Sequence, residues 1–386
     1  MCAAPGSGSP TEAVPADRDA AHSVILRDEH GYCAHPHLIR SDGELLVVCN
    51  WAPRRPFVLH PPEDPLYLNL LLRSPDEGRT WHAPVVAPAY GWSGVECAGL
   101  TNLGPGRVML NQWRFDWLTL DAARIRADQT GITYPERLLS GLLASAEHEP
   151  AGQDVAQAER TMPWARAPGR SWVHRSVDGG RTWGASTMLD TAPFVGGYGM
   201  RGGVVLDDGT VVLPLCDIPD YRRVFVVRST DGGAIWSTAI SAASLPGRWF
   251  EEPAPLLLRS GRLLLLLREN ASRTLWRTWS DDGGLTWADP EPTGIDGYPA
   301  HLTHLSDGRI LCTYGFRRPP YAIRALLSED EGASWTTTPI EIRSDLPSRD
   351  LGYPCTLFTA GGLITVYYAR QDDGCTCLCS TRWSLG

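Results

Sequence analysis

Lysine is missing altogether: every one of the 35 basic residues in this 386-residue chain is an arginine. A lysine Schiff base and a Walker-type phosphate loop both need the ε-amine, so both are excluded. No apolar run approaches the ~20 residues a membrane-spanning helix requires. Residues 1–20, rich in Ala, Pro, Gly and Ser, lack the basic start and apolar stretch of a secretion leader and read as disordered. A cytoplasmic location is the expectation. Positive charge is in deficit as well. A net charge of −9 argues against nucleic acid and membrane surface as partners, while leaving room for a local basic pocket that takes a small anion. Zinc-knuckle spacing is absent from the ten cysteines. Cys375, Cys377 and Cys379 alternate, which places them on one face of a strand. Thiols so arranged lack the loop geometry of a zinc site, so they read as small packing residues with free thiols. Neither a metal nor a cofactor is expected.

What the chain has is glycine (39), proline (31) and tryptophan (15) within a 43% hydrophobic composition. This describes a turn-rich chain with ample core. The tryptophans recur in an eight-residue pattern, S-x-D-x-G-x-[TSI]-W. It occurs at Ser74–Trp81, Ser176–Trp183, Ser229–Trp236, Ser280–Trp287 and Ser328–Trp335. Each part suits a tight hairpin. The Asp carboxylate accepts from the turn's own N–H groups. The Gly takes a backbone angle a side chain would resist. The Trp returns apolar surface to the core. The last four copies start at 176, 229, 280 and 328, a period near that of a four-stranded propeller blade.

A second element recurs with them: an apolar run, a Gly turn, then another apolar run. It is found at residues 37–48, 99–110, 203–213, 255–266, 302–311 and 356–366. Each reads as the inner hairpin of a blade, and six of them predict an all-β, six-bladed propeller. The sixth blade has only the degenerate Gln371-Asp-Asp-Gly374 and ends after three strands. His22-Ser-Val-Ile-Leu26 is the expected fourth strand, closing the ring and removing an exposed edge. Residues 21–386 are thus expected to form one domain. Blade two carries about fifty extra residues, 116–170, between its second and third strands. They include helical patterns at Asp121–Asp128 and Leu138–Glu147 and a loop at Glu149–Gln157. Lying at the opposite end of the blade from the box, this segment is expected to cap the pocket mouth.

Polar residues mark the starts of the inner strands: His35, His37, Glu96, His301 and His304. Since inner strands converge on the channel, these side chains form a candidate pocket.

The boxes and the blade count resemble those of the sialidase (neuraminidase) superfamily over nearly the whole chain from residue 25. The resemblance implies a Tyr nucleophile, a Glu that activates it, three Arg gripping the substrate carboxylate, and an Asp acid/base. Tyr353 in Gly352-Tyr-Pro-Cys-Thr-Leu357 matches the nucleophile. Glu252 in Glu251-Glu-Pro-Ala-Pro255 matches the activating Glu, with Glu251 its competitor. Arg268 in Leu266-Leu-Arg-Glu-Asn270 matches the second Arg, and Arg318, with Arg317 beside it, the third. The acid/base falls in the blade-one loop holding Arg54, Arg55, His60, Glu63 and Asp64. Asp64 is chosen over Glu63, and Arg55 is expected to face substrate. One departure stands out. In Cys33-Ala-His-Pro-His37, Ala34 occupies the place of the first Arg. Arg201, in Gly199-Met-Arg-Gly-Gly203, is the candidate replacement, and His35, Glu96 and His301 are expected to complete the substrate pocket.

Three functions compete on this basis. One is a sialidase-like exo-glycosidase on a carboxylated sugar. The second is an enzyme of altered chemistry, a lyase, isomerase or tailoring enzyme, acting on another anionic small molecule. The third is a non-catalytic glycan-binding propeller. Oligomeric state is not encoded in any of these features.

Overall fold

The computed structural model describes residues 14–15, 20–54, 66–89, 93–130, 164–166, 169–218 and 220–385. The six expected hairpins are the inner halves of six antiparallel sheets. Blade one, for example, runs Gly31–Ser41, Glu44–Pro53, Leu68–Ser74, Val85–Val86 from the channel outward. Blade six uses Leu351–Thr359, Gly362–Arg370 and Thr376–Trp383, and its outer strand is Ala21–Leu26, antiparallel to Thr376–Trp383. The sheet of blade six is therefore completed by strands from both ends of the described chain, and Ala21–Leu26 covers what would otherwise be the open edge of Thr376–Trp383. One pairing was not foreseen. Val14–Pro15 lies parallel to Ile340–Glu341 on the outer edge of blade five, inside the stretch expected to be disordered. The rest of residues 1–19 lies outside the described residues.

Apolar alternation along the strands builds the core between blades. Leu46, Val48 and Leu71 of blade one meet Leu100, Val108 and Leu110 of blade two. Met109 and Val173 of blade two meet Val211, Leu213 and Phe225 of blade three. The box tryptophans wedge into these seams, Trp183 in the first and Trp236 in the second. The box Ser has a part the sequence reading did not assign. Ser176 Oγ accepts the Gly180 N–H at 2.8 Å and donates to Asp178 Oδ1 at 2.7 Å. The same two bonds recur at Ser229, Ser280 and Ser328. Box glycines such as Gly180 sit at a left-handed φ of 80°, as the turn demands.

The three alternating cysteines lie on one buried face of blade six, packed with Tyr367, Ile323 and Trp383. They and the other cysteines given a described environment are free. The blade-two excursion begins with helix Leu120–Thr130, capped where Thr119 Oγ1 accepts the Ala122 N–H. The chain returns as Trp164–Arg166, pairing with Trp117–Thr119. The patterns at 138–147 and 149–157 lie outside the described residues. No helix among the described residues is long and apolar enough to cross a membrane.

Candidate functional site

Four inner strands share one irregularity. The pairing register slips between Ala34 and His37, Glu96 and Gly99, Glu251 and Ala254, and Gly352 and Cys355. Each slip is a bulge near the same mouth of the ring. In three of them a non-glycine residue takes a left-handed backbone: His35 (φ 52°), Glu252 (φ 49°) and Tyr353 (φ 50°). Each is followed by proline, which has no N–H to lose from the broken ladder. Bulky residues adopt this conformation at a cost, and such positions concentrate at functional sites. The recurrent x-Pro at strand starts is visible in the sequence and would have grouped the three before any family likeness.

The bulges bring these three side chains together. Tyr353 O–H donates to Glu252 Oε1 in a short hydrogen bond. Arg268 Nη1 donates to the same oxygen at 3.1 Å, while Glu252 Oε2 has no hydrogen-bond partner among the described residues. The His35 ring lies 4.4 Å from that of Tyr353, centroid to centroid. Glu252 and Tyr353 are almost fully buried. Burial, and then the negative charge of Glu252, push the Tyr353 phenol well above its usual range, although Arg317 and Arg268 oppose this. At rest the phenol keeps its proton and the carboxylate receives the hydrogen bond. Burial works against the charge on Arg268, but the two neighbouring carboxylates, Glu252 and Glu251, hold it cationic.

Several candidates now separate. Glu251 accepts from Tyr198 O–H at 2.8 Å and from Asn270, so it faces away from Tyr353. Asn270 also accepts from Arg268 Nε at 2.7 Å, tying the guanidinium in place. Of the two candidates for the third arginine, Arg317 is the one beside Tyr353. Arg317 lies over the Tyr353 and Tyr298 rings at 5.6 and 5.5 Å and donates to Leu351 O and Tyr368 Oη. Arg318 is half exposed and pairs outward with Asp296. Glu96 is buried at the matching bulge of blade two, opposite Trp113. Asp64, Glu63, Arg55 and His60 lie outside the described residues.

Arg201 corrects an expectation. It does not reach the Arg268–Arg317 cluster as a replacement clamp. Its guanidinium crosses the channel and donates to Pro36 O (3.1 Å), Pro354 O (2.9 Å) and Ala300 O (3.1 and 3.3 Å). The bulges at 34–37 and 352–355 take Pro36 and Pro354 out of ladder pairing, and Arg201 satisfies their carbonyls. Glycines let blade three come this close. A Cβ on Gly202 would fall 1.9 Å from Leu100 O, and one on Gly99 2.2 Å from Arg201 O. His301 is displaced too. It sits beyond Arg201, beside His37, with ring centroids 6.3 Å apart, and not with Tyr353. Ala34 is packed in the hydrophobic core, and it is the next residue, His35, that the bulge aims at the site.

Sequence reasoning missed the support for His35. Gln112 Nε2 donates to Pro88 O and to Asn69 Oδ1; Asn69 Nδ2 donates to Asn50 Oδ1; Asn50 Nδ2 reaches His35 Nδ1 at 2.8 Å. Pro88 O can only accept, so it sets the direction of every amide in the row. His35 Nδ1 is therefore an acceptor, and the neutral ring carries its hydrogen on Nε2. Strand pairing within blade one brings residues 35, 50 and 69 together, and the packing of blade two against it adds Gln112.

A family model for the BNR repeat-like domain matches residues 156–366, more than half the chain. The chain belongs to the BNR repeat-like family. This BNR propeller is 28% identical to a sialidase of Micromonospora viridifaciens over 239 residues, 53% of this chain but 35% of that relative. It thus spans about a third of the length of the curated relative it matches. Among solved structures, a protein of unknown function from Dyadobacter fermentans superposes with a TM-score of 0.73 at 21% identity, covering 96% of this chain and all of the other. A NanB sialidase from Streptococcus pneumoniae gives 0.66 at 12% identity over 97% and 71%. The Trypanosoma rangeli sialidase in complex with sialic acid gives 0.61 at 15% over 96% and 60%. The BNR propeller here has the fold of the sialidase superfamily.

Proposed function

We propose that this propeller is a sialidase-type exo-glycosidase for an acidic sugar, with Tyr353 as nucleophile and Glu252 as its base. The observation that carries the reading is the hydrogen bond from the Tyr353 phenol to Glu252, flanked by Arg268 and Arg317. A sugar with a carboxylate on its reacting carbon repels an anionic nucleophile. A phenol that loses its proton only as it attacks avoids that repulsion. In the first step the Tyr353 oxygen bonds to the anomeric carbon and its proton passes to Glu252. The bond to the departing oxygen breaks as that oxygen takes a proton from Asp64, the acid assigned on the blade-one loop with Glu63 beside it. Water then attacks the same carbon, gives a proton to Asp64, and Tyr353 leaves with the proton from Glu252. Arg268 and Arg317 grip the substrate carboxylate, Arg55 is assigned to substrate binding, and residues 116–170 to the cap. His35 stands at the end of the site where the superfamily's first Arg is missing. The absence of that charge-assisted bond weakens carboxylate binding by about 1.5–3 kcal/mol.

A fluorogenic sialoside tests the reading. Turnover that Tyr353→Phe abolishes, with the fold intact by circular dichroism, is expected. A fluorinated sugar should leave a glycosyl adduct on Tyr353 by mass spectrometry. The core-packed Ala34 and the His35 that replaces a guanidinium favour a second reading, an enzyme on another small anion. Tight binding of a different carboxylate with no sialoside turnover would select it. Glycan binding without any conversion would select a lectin-like role.

A further inference from the structure

Beyond Arg201 the channel opens again. The far halves of the inner strands line a cavity of about 580 Å³, with His37, His301 and Arg201 on one side, aliphatic residues such as Leu256 and Leu357 on another, and Arg40, Thr101, Asn102, Thr303 and His304 among them. By residue type alone, His37, His301 and Cys355 look like a metal site, their ligand-type atoms lying within 4.8 Å of one another. Hydrogen bonding decides against that. His37 Nδ1 accepts the Leu100 N–H at 2.9 Å, and His301 Nδ1 accepts the Thr356 N–H at 3.3 Å. A backbone N–H only donates, so each neutral ring carries its own hydrogen on Nε2 and keeps no lone pair for a cation. Cys355 is occupied as well, bonded to both Leu38 N–H and Leu38 C=O. Burial, and then the charge of Arg201, hold both imidazoles well below their usual range, so they stay neutral.

The floor therefore offers two N–H donors beside a guanidinium. Arg201 is 2% exposed, and its hydrogen bonds all go to carbonyls, with no carboxylate at ion-pair distance among the described residues. Burying a cation without a paired anion is costly, and a bound anion would offset that cost. The walls are mixed, but Ile39, Val205, Pro255, Leu256 and Leu357 give them a partly exposed aliphatic side, which suits an apolar body on such a ligand.

We propose that this rear cavity is a second ligand site, built for an organic monocarboxylate whose head lies between His37 and His301 above Arg201 and whose apolar body runs along the aliphatic side formed by Leu256, Leu357 and their neighbours. The site is separated from the Tyr353 mouth by the Arg201 crossbar and does not depend on the reading given for that mouth.

Isothermal titration of the full chain with octanoate tests it, with acetate and 1-octanol as controls. Saturable one-to-one binding of octanoate is expected, at least tenfold tighter than acetate, which lacks the body, and than octanol, which lacks the charge. His301→Leu, which keeps the size and removes the donor, should weaken octanoate at least tenfold. Leu256→Phe, which narrows the cavity, should do the same. If either variant fails to fold, crystals of the unaltered protein soaked with 8-bromo-octanoate decide, the bromine being expected among Leu256, Leu302 and Leu357. No octanoate binding at millimolar concentration overturns the proposal, as does undiminished binding to folded His301→Leu. So does bromine at the Arg268–Arg317 mouth. Tight one-to-one zinc binding abolished by Cys355→Ser would overturn it too, by showing the tautomers to be wrong.

Discussion

At the scale of single residues, conformation and chemistry coincide at three positions. His35, Glu252 and Tyr353 all leave the strand through a left-handed bulge ahead of a proline, and all three meet at one mouth. The bulge leaves carbonyls that must be satisfied, and Arg201 supplies the donors. Arg201→Met should therefore cost about 3 kcal/mol or more, since it strands three buried carbonyls. A urea-unfolding midpoint unchanged by that substitution would contradict this role. The amide row behind His35 gives a sharper prediction. In the native protein ¹⁵N shifts should report the Nε2–H tautomer of His35 at neutral pH. Asn50→Leu should shift the ring toward the other tautomer, and identical His35 signals in the two proteins would dismiss the row as a positioning device.

At the scale of elements, the repeated unit is the box hairpin. Its Ser, Asp and Gly form a closed hydrogen-bonded unit, repeated with nearly the same distances in every boxed blade. Ser176→Ala should cost about 1 kcal/mol. Gly180→Ala should cost about the same through its left-handed backbone, with Leu46 Cδ2 only 3.1 Å from the new Cβ. Thermal unfolding measures both. Hydrogen bonds from the Thr80 hydroxyl and backbone N–H hold the Asp76 carboxyl down to about 2. A depressed folded value fixes the sign. The box contribution is complete above the unfolded Asp value of about 3.9 and is lost as pH falls toward 2. A carboxyl ¹³C titration of Asp76 with its midpoint near 4 would refute this.

For the whole molecule, closure is the main fact. Six interblade clusters form a ring with no beginning, and the Ala21–Leu26 strand joins it to the far end of the sequence. Removing residues 1–26 should expose the edge of Thr376–Trp383, lowering the unfolding temperature by several degrees and promoting self-association. Size-exclusion chromatography and calorimetry of the truncated chain, run beside the full one, would show whether closure carries that weight. The channel is divided at this scale too. One arginine separates a mouth of phenol, carboxylate and guanidinium groups from a rear cavity where neutral imidazoles face a mixed, partly aliphatic wall.

The fold was legible because a propeller is written locally. Each box and each inner hairpin states its own turn within a dozen residues, and repetition supplies the blade count. The pairing of Tyr353, Glu252 and Arg268 was legible in part, because a family likeness already marked those positions. What the linear chain could not express was direction. Which of Arg317 and Arg318 turns inward, whether Arg201 reaches the mouth or spans the channel, and on which side of it His301 falls all depend on how strands of different blades converge on the channel. The amide row from Gln112 to His35 likewise joins two blades, and its residues line up only once blade two has packed against blade one. Sequence by itself determined the sheets, their number and their order, since backbone turn chemistry and apolar alternation are short-range. Tertiary structure alone decided which side chains share a space, because that is set by the convergence of strands far apart along the chain.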